Sequence, residues 1–354
     1  MKLQNTSEMS YRTGAKIGKL IFVALLLVHA VAARAQTYDI TDLGTLGGKN
    51  SFAFSVNALG DVTGSSDNRD GHAHAFLWTK IAGMQDLGTL GGVSSKAFGI
   101  SASGQIVGWS TTTVNTTHAF LWTKAGGMHD LGALNDGSSF ATAINDVGQV
   151  VGYSVDPNSG PTHAFLWTEK DGMRDLGSID GADTRALAIN IYGTVVGWTS
   201  GKGRPAHAFI WDREGGVRNL PALDQLQESQ AVGVNASGEI VGWKNKTGQE
   251  RNIFVWIKDT GLRDVASPGA AFDTRAAAVN AFGEIVGTAF GSDSGMRAFV
   301  WTKSNGALFL SDLISSAADW TLNVASAVNN MGQIVGYGAL GGTTHAYLLS
   351  PTQR

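Results

Sequence analysis

Residues 140–176 read FATAINDVGQVVGYSVDPNSGPTHAFLWTEKDGMRDL, and this stretch decides the fold. It contains four short runs rich in β-branched and aromatic residues, at 140–144, 149–153, 163–168 and 172–176. Short glycine-bearing links, Asn145–Gly148 and Glu169–Gly172, join the first run to the second and the third to the fourth, as in tight hairpins. No helical periodicity interrupts the runs. The stretch therefore predicts four antiparallel strands, which we call a, b, c and d in chain order.

The same pattern recurs along the chain, and three landmarks identify each copy. The first is a D-L-G-like stretch, whose Asp stands at 42, 86, 130, 175, 264 and 312, with Asn219 in one copy. The second is the glycine of the a–b link, found at 60, 104, 148, 193, 238, 283 and 332. The third is an H-A-F-L-W segment on strand c, which begins at His74, His118, His163, His207 and His345 and is degenerate at Asn252 and Arg297. Steps of 44 to 49 residues between the glycines establish seven copies.

Four antiparallel strands in about 45 residues are the unit of a propeller blade. The sequence therefore predicts an all-β fold, a seven-bladed β-propeller of four-stranded antiparallel blades. A β-solenoid is the competing repeat fold, but its coils are shorter and lack paired hairpins. A lone strand over Tyr38–Leu43 precedes the first copy, and the last copy stops after its strand c, His345–Leu349. We expect the N-terminal strand to complete the seventh blade, because this removes an open sheet edge.

Residues that recur in every copy are predicted to pack the blades together. Strand a carries one small residue at the same place in each copy: Ala53, Ala97, Ala141, Ala186, Ala231, Ala276 and Ala325. Tryptophans at the end of strand c supply large apolar area between neighbouring blades. The histidine slot holds Asn252 and Arg297 in two copies, and arginine has no lone pair for a metal. We therefore expect this slot to make a structural hydrogen bond and not to bind a metal.

Literal His-Ala-Phe tripeptides at 74, 118, 163 and 207, with His-Ala-Tyr at 345, resemble those of the HAF-repeat family of extracellular proteins. The resemblance covers about Tyr38 to Leu349. Two copies depart from the pattern, at Asn252-Ile253-Phe254 and Arg297-Ala298-Phe299. The resemblance implies secretion and a propeller-like repeat, and it implies no activity and no catalytic residue.

The N-terminus has the pattern of a signal peptide. Basic residues precede an apolar run from Leu20 to Ala33, and Ala33-Arg34-Ala35 has small residues where a signal peptidase cuts. Cleavage near Ala35 gives a leader over 1–35 and a single domain over 36–354, secreted to the periplasm or the extracellular space. An uncleaved anchor is the alternative, although the run of 14 residues is shorter than the roughly 20 that a spanning helix needs. Removing a leader of net charge +4 from a chain of −3 leaves −7, which argues against nucleic acid as a partner.

The sequence lacks the motifs of covalent and cofactor chemistry. It contains no cysteine, no G-x-S-x-G and no H-E-x-x-H, and its glycines follow the hairpin spacing. The segments Asp67–Gly71 and Asp156–Gly160 faintly resemble calcium loops. They lack the full set of calcium ligands and fall where a b–c turn is expected. We predict no catalytic residue, no cofactor and no metal.

Two positions of the repeat vary between the seven copies, and both lie on the face where strand a begins and strand b ends. One is the second residue of strand a, which supplies the polar side chains Lys96, Arg185, Gln230 and Arg275. The other follows Val-Gly on strand b and supplies the flat rings of Trp109, Trp198 and Trp243. Sugars stack on aromatic rings while a few polar groups fix their orientation, so these residues predict a site for a glycan or its acidic group. The alternative is that the aromatics fill gaps and the cations pair with Asp183, Asp273 and Glu228.

The sequence predicts a secreted, non-catalytic binding or interaction propeller whose partner is a glycan or a surface protein. We expect a monomer without stable membrane insertion and without a nucleic acid partner. The alternative function is a secreted polysaccharide-active hydrolase or lyase. The carboxylates available to it are Asp136, Asp183, Asp224, Glu228 and Asp273. A glycosidase needs two of them about 5 to 9.5 Å apart.

Overall fold

The computed structural model describes residues 35–352, apart from 159, 202, 204, 222, 224–227, 246–249, 270–272, 292–294 and 315–318. The predicted leader, except for Ala35, thus lies outside the described residues. Within the described residues, 28 strands form seven four-stranded antiparallel sheets, the blades of a propeller. Two short 3₁₀ turns, η1 (Leu134–Asp136) and η2 (Leu310–Leu313), lie in d–a loops. The predicted seven-bladed β-propeller is confirmed.

Blades 1 to 6 each take strands a, b, c and d consecutively from the chain, and blade 7 takes its outer strand from the N-terminus. Blades 1 to 3 contain β2 (Gly47–Val56), β3 (Val62–Asn68), β4 (Ala73–Thr79), β5 (Gly83–Asp86), β6 (Gly91–Ile100), β7 (Ile106–Thr112), β8 (Thr117–Thr123), β9 (Gly127–Asp130), β10 (Ser138–Ile144), β11 (Val150–Val155), β12 (Thr162–Thr168) and β13 (Gly172–Asp175). Blades 4 to 6 contain β14 (Asp183–Ile189), β15 (Val195–Ser200), β16 (His207–Asp212), β17 (Gly216–Asn219), β18 (Glu228–Val234), β19 (Ile240–Asn245), β20 (Asn252–Ile257), β21 (Gly261–Val265), β22 (Asp273–Val279), β23 (Ile285–Phe290), β24 (Met296–Thr302) and β25 (Gly306–Phe309). Blade 7 contains β26 (Trp320–Val328), β27 (Ile334–Leu340), β28 (Thr343–Pro351) and β1 (Tyr38–Asp42).

The N-terminal strand closes the ring, as the sequence predicts. β1 pairs antiparallel with β28 over its whole length. The same seam is held by side chains, because the carboxylate of Asp42 lies 3.0 Å from Nδ1 of His345. The hydroxyls of Thr37 and Thr352 are 2.6 Å apart. Blade 7 is therefore built jointly by the two ends of the described chain.

The recurrent small residues pack as predicted. Each strand-a alanine lies directly opposite a glycine of strand b and is at most 5% exposed; this glycine follows Thr63 in blade 1 and a valine in the other blades. A Cβ on Gly152, for example, would lie 2.0 Å from the carbonyl oxygen of Phe140. Strand a then has a β-bulge after each alanine, which leaves one residue unpaired and re-aims its side chain. The bulge residues line the channel along the axis: Phe54, Phe98, Thr142, Leu187, Val232, Ala277 and Ser326.

The histidine of the H-A-F landmark and the aspartate of the D-L-G landmark meet on the outer part of the blade. Nδ1 of His74 lies 2.8 Å from the Asp86 carboxylate. The pairs His118–Asp130 and His163–Asp175 repeat this distance in blades 2 and 3. The predicted structural hydrogen bond of the histidine slot is thus confirmed in blades 1 and 2, and again in blade 7 between His345 and Asp42. In blade 3 the two groups lie equally close, but their geometry is not that of a hydrogen bond.

A belt of asparagines joins neighbouring blades at the opposite end of the channel, and the sequence analysis did not foresee it. The first residue of the a–b turn is Asn57, Asn145, Asn190, Asn235, Asn280 or Asn329, and blade 2 has Ser101 there. Each Oδ1 accepts a backbone N–H from its own turn. Each Nδ2 donates to the carbonyl oxygen of the corresponding residue in the next blade, at 2.8 to 3.4 Å. The belt therefore ties each of these six blades to its neighbour.

Candidate functional site

The two variable positions form cross-strand pairs at the mouth of the channel. In each blade the variable residue of strand a lies directly opposite the variable residue of strand b: Phe52 and Ser65, Lys96 and Trp109, Phe140 and Tyr153, Arg185 and Trp198, Gln230 and Trp243, Arg275 and Thr288, Val324 and Tyr337. Directly opposed side chains of an antiparallel pair are close enough to touch. Each blade thus presents one two-residue unit at this face.

The units of blades 2, 3 and 4 join into one row of side chains, which we call the aromatic arc: Lys96, Trp109, Phe140, Tyr153, Arg185 and Trp198. Nζ of Lys96 lies 6.0 Å from the centroid of the Trp109 ring. The Trp109 and Phe140 rings meet edge to face at 6.2 Å, and the Phe140 and Tyr153 rings stack at 5.0 Å. Such ring pairs stabilise one another beyond the area they bury. The arc is therefore a continuous row of contacting side chains across three blades.

Arg185 is sandwiched between two rings of the arc. Its guanidinium carbon lies 4.6 Å from the centroid of the Tyr153 ring and 5.0 Å from that of Trp198. Its Nε is buried and makes no hydrogen bond. Asp183, which the sequence offers as an ionic partner, instead accepts a hydrogen bond of 2.7 Å from the backbone N–H of Thr162. The two aromatic rings therefore orient the Arg185 guanidinium, while its Nε–H donates no hydrogen bond among the described residues.

A cavity of about 420 Å³ opens beside the arc. Its described lining residues are Phe98, Trp109, Phe140, Thr142, Tyr153, Arg185, Leu187 and Trp198. Burial raises the pKa of the Tyr153 phenol, and the nearby Arg185 charge partly opposes this rise. The phenol is therefore neutral at physiological pH and retains a proton to donate. We call this space the arc cavity.

The structure brings three of the seven sequence-predicted residues together at the arc cavity, Trp109, Arg185 and Trp198. Lys96 belongs to the arc, beside Trp109, but does not line the arc cavity among the described residues. Gln230 lies opposite Trp243 in blade 5, away from this lining.

Trp243 and Arg275 are occupied by packing and ion pairing. Trp243 is buried, and the guanidinium of Arg251 covers its ring at 4.5 Å. Arg251 also reaches Glu228 at 3.4 Å and Asp273 at 3.6 Å. Arg275 lies 3.3 Å from the same Asp273 carboxylate. For blades 5 and 6 the packing and ion-pair alternative describes the observed contacts.

Sequence reasoning did not select the other five lining residues: Phe98, Phe140, Thr142, Tyr153 and Leu187. Phe140 and Tyr153 stand at the same two variable positions as the selected residues. In the second, third and fourth copies these positions hold a cation with an aromatic residue, then two aromatic residues, then a cation with an aromatic residue again. This pattern over three consecutive copies is the signal that could have identified Phe140 and Tyr153. Phe98, Thr142 and Leu187 are bulge residues, and only the pairing register of the folded strands reveals the bulges.

The carboxylates considered for catalysis do not line the arc cavity within the described residues. Asp136 is exposed in η1, and Asp224 lies outside the described residues. Among the side chains that the structure describes, no three His, Asp or Glu residues converge as metal ligands would. Asp67 and Asn68 end strand b of blade 1, and only the rest of Asp67–Gly71 forms the predicted turn. The described residues of Asp156–Gly160 lie between β11 and β12, where a turn is predicted. Over the described ranges, no helix has the length and apolar character to cross a membrane.

Comparison with known proteins gives a fold and no activity. Residues 92–223, less than half of the chain, match the model of a family described as a protein of unknown function (DUF3466). No curated protein sequence matches the chain.

Solved structures share the propeller fold at low sequence identity. The chain is similar to puromycin hydrolase, with a TM-score of 0.57 and 15% identity, covering 87% of this chain and 52% of that one. It is similar to an acylaminoacyl peptidase from Pyrococcus horikoshii, with a TM-score of 0.56 and 10% identity, covering 86% and 52%. The chain thus spans about half the length of these two enzymes. A lectin from Aleuria aurantia is more distant, with a TM-score of 0.41 and 12% identity over 73% of this chain and 94% of that one. These likenesses show the fold alone.

Proposed function

We propose that this protein is a non-catalytic binding propeller that recognises an acidic glycan at the arc cavity. The observation that carries the proposal is the Arg185 guanidinium, held between the Tyr153 and Trp198 rings with an unpaired Nε. A uronic acid residue offers a ring that stacks on an aromatic side chain and a carboxylate that fits the guanidinium fork. The cavity therefore matches both parts of such a sugar.

The charge of the chain makes this recognition local. A domain of net charge −7 after removal of the leader repels anions at long range. Screening limits that repulsion to about 8 Å at physiological salt. An acidic sugar inside the cavity therefore responds mainly to the positive charge of Arg185, with Lys96 at the far end of the arc.

We further propose that the protein acts outside the cytoplasm after cleavage near Ala35. The basic and apolar leader supports this location, and so does the resemblance of its repeats to an extracellular family. Polysaccharides of cell envelopes and extracellular matrices are the acidic glycans available there.

Binding is favoured over polysaccharide cleavage by the lining of the arc cavity. A glycosidase places two carboxylates on either side of the scissile bond. The described lining contains aromatic, aliphatic and hydroxyl side chains and one arginine, and no carboxylate. The alternative of a hydrolase or lyase therefore lacks its acid and base at this site.

The test uses protein produced from the full chain, with oligogalacturonate and oligoalginate as acidic probes and cello-oligosaccharide as the neutral probe. Isothermal titration should show binding of an acidic probe that Arg185→Ala weakens about 10- to 100-fold, since a hydrogen bond to a charged group contributes about 1.5–3 kcal/mol. Arg185→Lys should recover only part of the affinity, because it keeps the charge and loses the planar fork.

Arg275→Ala is the matched control, because Arg275 occupies the same position in blade 6 and lies outside the arc cavity. It should leave binding unchanged. The proposal is wrong if the acidic probes do not bind, or if they bind Arg185→Ala and the parent equally. Shortening of the probes in the same samples would point to the hydrolase or lyase alternative.

A further inference from the structure

A second cavity, of about 270 Å³, lies in blade 4 on the same face of the propeller. The d–a loop around Ile179 and Asp180 forms one wall. Thr199 at the end of β15, His207 at the start of β16 and Asn219 at the end of β17 form the rest of its polar surface. We call this space the rim cavity.

The first contact that closes the equivalent region in blades 1 to 3 is missing in blade 4. In those blades a serine of strand b accepts a hydrogen bond from a backbone N–H of the d–a loop: Leu46 to Ser66 at 2.9 Å, Leu90 to Ser110 at 2.8 Å and Leu134 to Ser154 at 3.1 Å. Blade 4 has Ile179 and Thr199 at these positions. Thr199 is 5% exposed, and its Oγ1 is buried without a hydrogen-bond partner.

The second contact is also missing. Blades 1 to 3 pair the strand-c histidine with an aspartate at the end of strand d, at 2.8 Å in each. In blade 4 the aspartate is replaced by Asn219, which lies opposite Phe209 as Asp86 lies opposite Phe76. Nδ1 of His207 is buried without a hydrogen-bond partner.

The two unpaired groups belong to one place. Thr199 and His207 are directly opposite each other on neighbouring strands, so their side chains stand on the same face of the sheet. Buried polar groups in native proteins are nearly all hydrogen-bonded. Two of them side by side against a cavity therefore indicate a partner that comes from outside the chain.

We propose that the rim cavity binds a neutral sugar residue through its hydroxyl groups. A hydroxyl both donates and accepts, so one can satisfy the Thr199 hydroxyl and either tautomer of His207. Among the described lining residues, Thr199, His207 and Asn219 offer uncharged hydrogen-bonding groups of the kind that pair with sugar hydroxyls. At about 30 Å³ per water molecule in the liquid, the volume exceeds what one bound water requires.

The rim cavity is distinct from the arc cavity. Thr199 follows Trp198 directly on β15, so the two side chains point to opposite faces of the blade 4 sheet. A neutral sugar at Thr199 and an acidic sugar at Trp198 would both be held by blade 4. The proposal does not depend on the function assigned to the arc cavity.

The test restores in blade 4 the residues of blades 1 to 3, with the double variant Thr199→Ser and Asn219→Asp. Saturation-transfer NMR and calorimetry are run with glucose, galactose, mannose, fucose and N-acetylglucosamine at millimolar concentrations. The parent should bind at least one of these sugars, and the double variant should bind it at least tenfold more weakly. The melting temperature of the variant should equal or exceed that of the parent, because both lost contacts return.

Arg185→Ala separates this proposal from the preceding one, because it should leave the binding of the neutral sugar unchanged. Conversely, the double variant should retain the binding of acidic oligosaccharides. The rim proposal is overturned if the parent binds none of the five sugars, or if the double variant binds them as well as the parent does. In either outcome the unpaired Thr199 hydroxyl and His207 Nδ1 would lower the stability of blade 4 without serving a ligand.

Discussion

Nδ2 of Asn329 donates a hydrogen bond to the backbone carbonyl oxygen of Asn57, at 2.8 Å and across 272 positions of sequence. This contact carries the asparagine belt over the junction between blades 7 and 1. The hydrogen bond between Asp42 and His345 holds the outer part of the same blade. The closure of the ring is therefore secured near the axis and at the rim by different residues.

The belt is incomplete at Ser101, and completing it should stabilise the protein. The Ser101 hydroxyl turns to Ser103, at 2.9 Å, and blade 2 lacks the amide that the other six blades use. Ser101→Asn should donate to the carbonyl oxygen of Asn145 and add about 0.5–1.5 kcal/mol to the free energy of unfolding. Urea unfolding measures the change.

Asn190→Ser is the matched control, because it introduces a second gap of the same kind and should destabilise by a similar amount. A lower stability for Ser101→Asn than for the parent would contradict the role assigned to the belt.

Tyr38 makes the seam sensitive to alkaline pH. Burial, and to a lesser degree the charge of Glu284, raises the pKa of Tyr38 from 10.0 to about 12. Because the folded-state pKa is the higher one, the contribution is fully present below pH 10 and is lost as the pH rises from 10 to 12. At about 1.4 kcal/mol per pKa unit, the loss is about 3 kcal/mol.

Tyr38→Phe removes the ionisable group and should flatten the fall of stability above pH 10. Urea midpoints measured from pH 8 upward report this slope. Tyr192→Phe, at an exposed turn, is the control and should follow the parent curve. Identical alkaline slopes for Tyr38→Phe and the parent would refute the assignment.

Two glycines of blade 3 should respond differently to alanine. A Cβ on Gly152 would lie 2.0 Å from the carbonyl oxygen of Phe140, whereas Gly172, with φ +68°, has open space around it. Gly152→Ala must shift strand a and should cost about 4 kcal/mol or more. Gly172→Ala should lower the free energy of unfolding by only about 1–2 kcal/mol, because an alanine is strained in the left-handed backbone conformation at this position. Chemical denaturation ranks the two variants, and equal costs would show that close packing of strands a and b is not limiting.

Deletion of Gln36 to Gly47 removes β1 and should leave β28 with an exposed edge. We expect aggregation or a much lower melting temperature, because an unpaired edge recruits other strands. His345→Gln, which removes only the hydrogen bond with Asp42, should cost about 1 kcal/mol. An unchanged melting curve for the deletion would exclude closure by this strand.

Trp198 and Trp243 occupy the same position in blades 4 and 5 and should separate binding from folding. Trp243 is buried beneath Arg251, so Trp243→Ala should cost about 3–5 kcal/mol. Trp198 lines the arc cavity, so Trp198→Ala should mainly weaken the binding of acidic oligosaccharides. Titration and thermal melting on both variants test the contrast, and the reverse pattern would move the site to blade 5.

The repeat made the architecture predictable, because each copy contains its own strands and turns. The predicted strand at 163–168 is observed as β12 (Thr162–Thr168), and the predicted pairing of the two chain ends is observed as β1 with β28. Within blades 1 to 6 the paired strands are neighbours in sequence, so the local pattern is enough. The pairing of β1 with β28 followed from the missing fourth strand of the last copy.

Which variable residues meet was not predictable in the same way. Asp183-Thr184-Arg185 and Asp273-Thr274-Arg275 are the same tripeptide at the same place in two blades. Arg185 lies between Tyr153 and Trp198, whereas Arg275 pairs with Asp273, which Arg251 also contacts. The difference arises from residues in other strands and neighbouring blades, whose proximity only the folded ring establishes.

The staggered seam also bears on how such a protein grows in evolution. Because β1 completes the blade formed by the last three strands, the boundary of the sequence repeat is offset from the boundary of the blade. Duplication or loss of one copy of about 45 residues therefore changes the ring by one whole blade, wherever the genetic break falls. In a ring with one blade more or fewer, β1 can still pair with the last strand of the chain. Unequal recombination can therefore alter the number of blades without leaving a sheet edge unpaired.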